Sequence, residues 1–235
     1  MRVLVISIVV LAIAVIVGDR IAVVLAQNEI GRQIAAEYKL TNDPSVDIGG
    51  FPFLTQALGG SYRDIDIRVG DWTDKKITVR DLDVALTDLS ASLSDLMDKR
   101  TSNIVAATAT ATAVIPYDTV QSFAPSGVKS IAYGADGLRI TGTFSMEGIP
   151  VPATVIVTVA PTDEGIQVTP VSAQSTAGGP KIPLGPLRKS LAFTIPLQGL
   201  PLGAKLTTIQ PSADGLHLTA VAHNVRFSDL PMRTS

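Results

Sequence analysis

Two kinds of hydrophobic pattern divide the chain. Val3–Val17 is apolar at every position but Ser7. As a helix this run rises about 22 Å at 1.5 Å per residue, short of the roughly 30 Å hydrocarbon core of a bilayer. Asp19 and Arg20 interrupt it and Ile21–Ala26 resumes it. The length suits the core of a signal peptide, with Val24 and Ala26 before a cleavage that leaves Gln27 as the new terminus. It suits as well an uncleaved anchor with Asp19–Arg20 at the outer interface. Only Met1 and Arg2 precede the run, so in either case the body is expected outside the cytoplasm. Residues 1–26 are therefore read as signal peptide or membrane anchor, and 27–235 as the folded domain. A helical period follows over Asp19–Leu40. Val23, Ile30, Ile34 and Tyr38 share one side, while Glu29, Arg32, Gln33, Glu37 and Lys39 cover the others. Without cleavage, span and amphipathic helix form one rod. Thr41–Pro44 ends it.

Beyond Pro44 the period drops to two. Val46 and Ile48 lead into Gly49–Gly60, GGFPFLTQALGG. Pro52 suits a first helical turn and Gly59–Gly60 a left-handed stop, which predicts a two-turn helix carrying Phe53, Leu54, Ala57 and Leu58. Such a helix is too short to stand alone. It reads either as a plug closing one end of a sheet or as an apolar gate. Ile65, Ile67 and Val69 then alternate with charged residues, and Gly70–Asp74, with Trp72 inside it, reads as a turn. Ile77 and Val79 have the opposite parity to Leu82, Val84 and Leu86, so a one-residue bulge is expected near Arg80–Asp81. Leu89–Arg100 is ambiguous between loop and short helix. Over Asn103–Ile115, Ala107, Ala109, Ala111 and Ala113 share one face and Thr108, Thr110 and Thr112 the other. An alanine face leaves room beside the sheet for a close-packed helix or an acyl chain. Pro116–Phe123 reads as a short helix. Three hairpins then turn at Asp136-Gly137, Asp163-Glu164-Gly165 and Asp214-Gly215, where positive φ is needed. Between the last two lies Gly178–Leu187, GGPKIPLGPL, whose prolines forbid ordinary helix or central strand while Ile182, Leu184 and Leu187 make it unusually apolar for a loop. The elements predict an α+β fold: a long curved antiparallel sheet built of hairpins, packed on a long N-terminal helix.

Composition narrows the chemistry. Of 235 residues, 17% are charged and the net charge is −2, so the chain has no electrostatic footprint for nucleic acid. It has no cysteine, which removes disulfides, thiolate metal sites, a thiol nucleophile and lipid attachment at a leader cysteine. His217 and His223 lie six residues apart on one expected strand, roughly 20 Å if extended, too far to share a metal. No metal site or cofactor is expected. No zinc-protease, phosphate-loop or nucleophile-elbow motif occurs, so the reading is non-enzymatic. The aspartates of 64–83 flank alternating strands and read as solvated outer faces; their spacing matches no calcium loop. What the chain offers is apolar surface suited to acyl chains, at roughly 0.8 kcal/mol per buried methylene. Phe51, Phe53, Leu54, Leu58, Ile182 and Leu184 are the candidates to line or gate a cavity. Arg188 and Lys189 are candidates to meet a headgroup, and Trp72 a membrane surface.

Three stretches carry a family resemblance: Gly50–Ile67 (GFPFLTQALGGSYRDIDI), Gly199–Phe227 (GLPLGAKLTTIQPSADGLHLTAVAHNVRF), and the leader running into Asp19–Ala35 (DRIAVVLAQNEIGRQIA). Through them the chain resembles the LmeA-like phospholipid-binding family of actinobacterial cell-envelope proteins. The resemblance implies an extracytoplasmic protein that binds phospholipid and supports envelope lipid or lipoglycan (lipomannan-type) metabolism, with glycolipid-synthesis enzymes as partners. It also implies an elongated fold like the tubular lipid-binding (TULIP-like) proteins. The competing reading is a filled scaffold that holds a partner enzyme at the membrane without a lipid cavity.

Overall fold

The structure, a computed structural model, describes residues 2–74, 77–92, 94–95, 103–134, 136–146, 149–175, 183, 185, 191–197 and 200–229. The candidates Ile182, Leu184, Arg188 and Lys189 lie outside the described residues.

The apolar run and the amphipathic segment form a single helix, α1 (Arg2–Tyr38). Asp19–Arg20 does not break it, since neither residue lacks a backbone donor and both side chains leave the axis. The buried positions Asp19, Val23, Gly31 and Ala35 form one stripe on the C-terminal half; residues 2–18 are all exposed. Gly31 is required where α1 meets the following chain, because a β-carbon there would sit 2.7 Å from the Pro44 carbonyl oxygen.

The strands fall into two antiparallel sheets. The first contains β1 (Ser45–Ile48), β2 (Ser61–Asp74), β3 (Ile77–Ser90), β4 (Val105–Ile115), β10 (Lys205–Pro211) and β11 (Leu216–Arg226), in the order β1-β2-β3-β4-β11-β10. The second contains β5 (Val128–Gly134), β6 (Gly137–Met146), β7 (Ile149–Thr162), β8 (Gly165–Ser175) and β9 (Phe193–Pro196), in sequence order. The three Asp-Gly turns join β5 to β6, β7 to β8 and β10 to β11 as the pattern predicts. Two short helices complete the fold: α2 (Phe53–Gly59) joins β1 to β2 within the first sheet and packs on α1, and α3 (Tyr117–Ser122) opens the crossing from β4 to β5.

Two features depart from the linear pattern. Gly70–Asp74 is not a turn: β2 continues through it, with Trp72 opposite Val79, and the register shifts on both sides of Gly70. Gly70, at φ 78°, is a bulge within the strand, and the chain reverses only beyond Asp74. Ala107 was expected to share the face of Ala109; it is exposed, and Ala106 is buried instead. The inward residues step by three rather than two at one level of four neighbouring strands: Tyr62 to Ile65, Leu86 to Leu89, Ala106 to Ala109, and Ala222 to Val225. Asp88 and Asn224 adopt positive φ at this line, where residues with short polar side chains pay the least for it. The bulge expected near Arg80–Asp81 is present: three residues of β3 span two of β4, and Asp81 has φ 49°.

The interior divides into two cores. One joins the second sheet, α3 and the far end of the first sheet, around Ile115, Leu138, Ile140, Val155, Ile166, Leu191, Ile195 and Leu216. Tyr117 ties this core down by donating its phenol to the Ser212 carbonyl of the β10–β11 turn at 2.5 Å. The other lies between the near end of the first sheet and α1–α2. It holds Val23, Val46, Ile48, Phe53, Ala57, Tyr62, Ile65, Leu86, Leu89 and Val225.

Candidate functional site

The GGFPFLTQALGG stretch forms α2, with Pro52 in extended conformation just before it and Gly60 left-handed just after it. Gln56 fixes both flanks: its amide donates to the Gly49 carbonyl at 3.0 Å, and its oxygen accepts the Arg63 N–H at 3.3 Å. The helix is split by face. Phe53 and Ala57, one turn apart, are each 7% exposed, and the Phe53 ring lies 6.3 Å from that of Tyr62. Phe51, Leu54 and Leu58 point away from the core, Leu58 at 81% exposure. Plug and exposed apolar surface thus coexist on one two-turn element, at alternate positions.

Asp19 of α1 completes this element. Its side chain is 1% exposed, and its Oδ1 accepts the Leu54 N–H at 2.8 Å, supplying the cap that Pro52 cannot. Its Oδ2 accepts from Arg20 at 2.6 Å. The Arg20 guanidinium in turn lies 5.0 Å over the Phe51 ring.

Between the two cores the first sheet carries transverse rows of apolar side chains. Ile48, Ile65, Leu86, Ala109 and Ala222 are paired in register across five strands, and all are buried in the core shared with α1 and α2. The next row, Val46–Ile67–Val84–Ala111–Ala220–Leu206, crosses all six strands. It is less covered: Ile67, Val84, Ala111 and Leu206 are half-buried. Ala113 and Ile209 continue the half-buried surface toward the other core. Six strands at about 4.8 Å spacing make this strip about 24 Å long. Ala111 and Ala113 contribute small side chains to this surface. Two concavities open among the described residues. One, about 240 Å³, is lined by Asp66, Arg68, Asp83, Thr110 and Thr112 together with Ala85 and two residues of the strip's row, Ile67 and Val84. The other, about 430 Å³, runs along α1 between Ile16, Val17, Arg20, Ile21, Val24 and Leu25. Both are open rather than enclosed.

The structure brings Phe51, Phe53, Leu54 and Leu58 together on α2. Trp72 is in the other core's periphery, half-buried. His217 is exposed and bonded to Asp214 at 2.9 Å; His223 is exposed beside Thr108. Sequence reasoning missed Asp19 and the strip residues Ile67 and Val84. A lone carboxylate inside an apolar run was the available signal for the first; the second needs strand register, which no local pattern encodes.

No curated protein and no solved structure matches the chain. A family model does, over residues 17–221, which takes in the second half of α1, α2 and both sheets. The chain belongs to the LmeA-like phospholipid-binding family.

Proposed function

We propose that this protein is a non-enzymatic phospholipid-binding protein of the cell envelope, which holds or shuttles acyl lipid outside the cytoplasm. In this reading it supports envelope lipid or lipoglycan metabolism of the lipomannan type. The observation that carries the reading is the half-open apolar strip between two closed cores. It runs the width of six strands, and the six residues of its row, two of them alanines, are all apolar. An acyl chain laid across it would bury methylenes at roughly 0.8 kcal/mol each, so twelve offer on the order of 10 kcal/mol before ordering costs. Affinity of that kind needs no polar site. Phe51, Leu54 and Leu58 would receive the tail at the α2 end, with Phe53 holding that helix in place. Ile182 and Leu184 are proposed as further apolar wall, and Arg188 and Lys189 as the headgroup rim.

The test is direct. The full chain, purified in detergent from a lipid-containing host, is extracted with organic solvent and the extract is analysed by mass spectrometry. Phospholipid in proportion to protein, retained through exchange into a second detergent, supports the reading. Its absence, together with no uptake from vesicles, removes it. A second reading, a scaffold that holds a partner enzyme at the membrane, is favoured by one observation: the concavities are open rather than enclosed. It predicts a lipid-free protein that co-purifies with a glycolipid-synthesis enzyme.

A further inference from the structure

Most of the large exposed apolar residues among the described ones lie on α1. Val3 to Leu25 rises about 33 Å along α1, which matches the roughly 30 Å hydrocarbon core, whereas Val3–Val17 alone falls short of it. Past Asp19 the helix is two-sided. Ile21, Val24 and Leu25 are exposed, while Asp19 and Val23 are covered by α2 and β1. Residues 2–18 are apolar nearly all round and exposed, so α1 has the length and composition to cross a membrane. The exposed side continues that surface by a further two turns. Outside α1, the large exposed apolar residues among the described ones are Phe51, Leu54, Leu58, Tyr133, Ile149 and Val171; half of these sit on or beside α2.

We infer that α1 is retained, crosses the bilayer, and holds α2 in the outer leaflet, with Phe51, Leu54 and Leu58 contacting lipid. The occupant of this surface is therefore the phospholipid bilayer itself. Three observations fix the choice. α2 docks on α1 at the level of Asp19–Val23, so Phe51, Leu54 and Leu58 lie at the same height along α1 as the exposed Ile21, Val24 and Leu25. The one carboxylate within Val3–Leu25, Asp19, is hidden, bonded to Leu54 N–H and Arg20, as a charge near hydrocarbon must be. And the groove along Ile16, Val17, Ile21, Val24 and Leu25 is apolar except for Arg20, whose half-exposed guanidinium suits a lipid phosphate. Cleavage after Ala26 would remove the Asp19 cap of α2 and withdraw Val23, which is 5% exposed, from the core. The inference rests on the proposed lipid-binding reading only for its purpose, which is to place α2 and the strip behind it at the leaflet from which lipid is taken.

The chain has no cysteine, so Leu58→Cys gives a single labelling position. The full chain carrying an environment-sensitive fluorophore there is reconstituted into vesicles of phosphatidylcholine and phosphatidylglycerol. Asp136→Cys, on the far β5–β6 turn, is the control. A blue-shifted emission at position 58, quenched by lipids spin-labelled near the headgroup and not at position 136, is expected. Equal aqueous quenching at both positions overturns the inference. Intact mass from the membrane fraction should show α1 retained; a protein beginning at Gln27 overturns it. Asp19→Ala should release α2, red-shifting the label at 58 while leaving the protein membrane-bound; an unchanged spectrum shows that Asp19 does not hold α2 there and overturns that part. The outcomes separate from the lipid-binding test. A lipid-free protein with position 58 in the leaflet keeps this inference and removes the other; bound lipid with position 58 in water does the reverse.

Discussion

Filling the strip with a protein side chain should abolish lipid binding while sparing the fold. Ala111→Phe is the sharpest such change. Ala111 lies in register between Val84 and Ala220, at the middle of the six-strand row, and is half-buried. A benzyl group there covers the floor where an acyl chain would lie. If it displaces about four methylenes, the loss is about 3 kcal/mol, or roughly 200-fold in Kd. The cost to stability is small, about 1 kcal/mol or less, because the position is open on one side and phenylalanine suits a strand. Thr112→Phe supplies the control. It adds the same ring one residue away on the opposite, exposed face, between Asp83 and Thr219. Binding is read by transfer of a labelled phospholipid from donor vesicles, and folding by thermal circular dichroism. The reasoning fails if Ala111→Phe binds as tightly as the parent chain while both variants melt normally. It fails equally if Thr112→Phe, which never touches the strip, loses as much.

Other expectations follow from the same geometry. Phe53→Ala should cost about 3–5 kcal/mol in denaturant unfolding, because a buried ring is lost beside Tyr62, whereas Leu58→Ser should change stability by less than about 0.5 kcal/mol. Gly60→Ala forces a side chain into a left-handed position with its β-carbon 3.2 Å from the Ala91 carbonyl, so a loss of about 1–2 kcal/mol is expected by the same measurement. Tyr117→Phe should cost about 1 kcal/mol through the lost bond to Ser212. Burial raises the Tyr117 phenol above its ordinary value of 10.0, so the folded state holds this proton more tightly than the unfolded one. Its contribution is therefore fully present below pH 10 and declines as pH rises beyond it, which alkaline unfolding curves of the parent and Tyr117→Phe should separate. Trp72, the sole tryptophan, packs against the core remote from α2, so its emission should not move when vesicles are added; a blue shift would place that hairpin on the membrane.

Much of the fold was legible because its signals are local. The Asp-Gly turns set three hairpins, the parity change at Arg80–Asp81 set a bulge, and the two glycine pairs bracketed α2. The single rod of α1 was legible as one of two outcomes. What escaped was non-local. The three-residue step shared by β2, β3, β4 and β11 is invisible in β4, where alternating alanine and threonine look alike in either parity; only pairing with Leu89 and Val225 selects Ala106 over Ala107. Trp72 followed a glycine and was read as turn, because a bulge and a turn share the same left-handed requirement. The candidate site divided the same way. The apolar positions of α2 were evident from composition, but their split into Phe53 and Ala57 inward and Phe51, Leu54 and Leu58 outward depends on where α1 docks. That docking is fixed by Asp19, thirty-five residues away in sequence from the N–H that it caps.

The account stands or falls on whether lipid occupies the strip. Native mass spectrometry of the full chain, released from detergent, measures this with the Ala111→Phe variant alongside the parent. The parent should carry phospholipid as a discrete added mass, and Ala111→Phe should fly without it at unchanged fold. A parent chain free of lipid, or lipid held equally by both, would contradict the account.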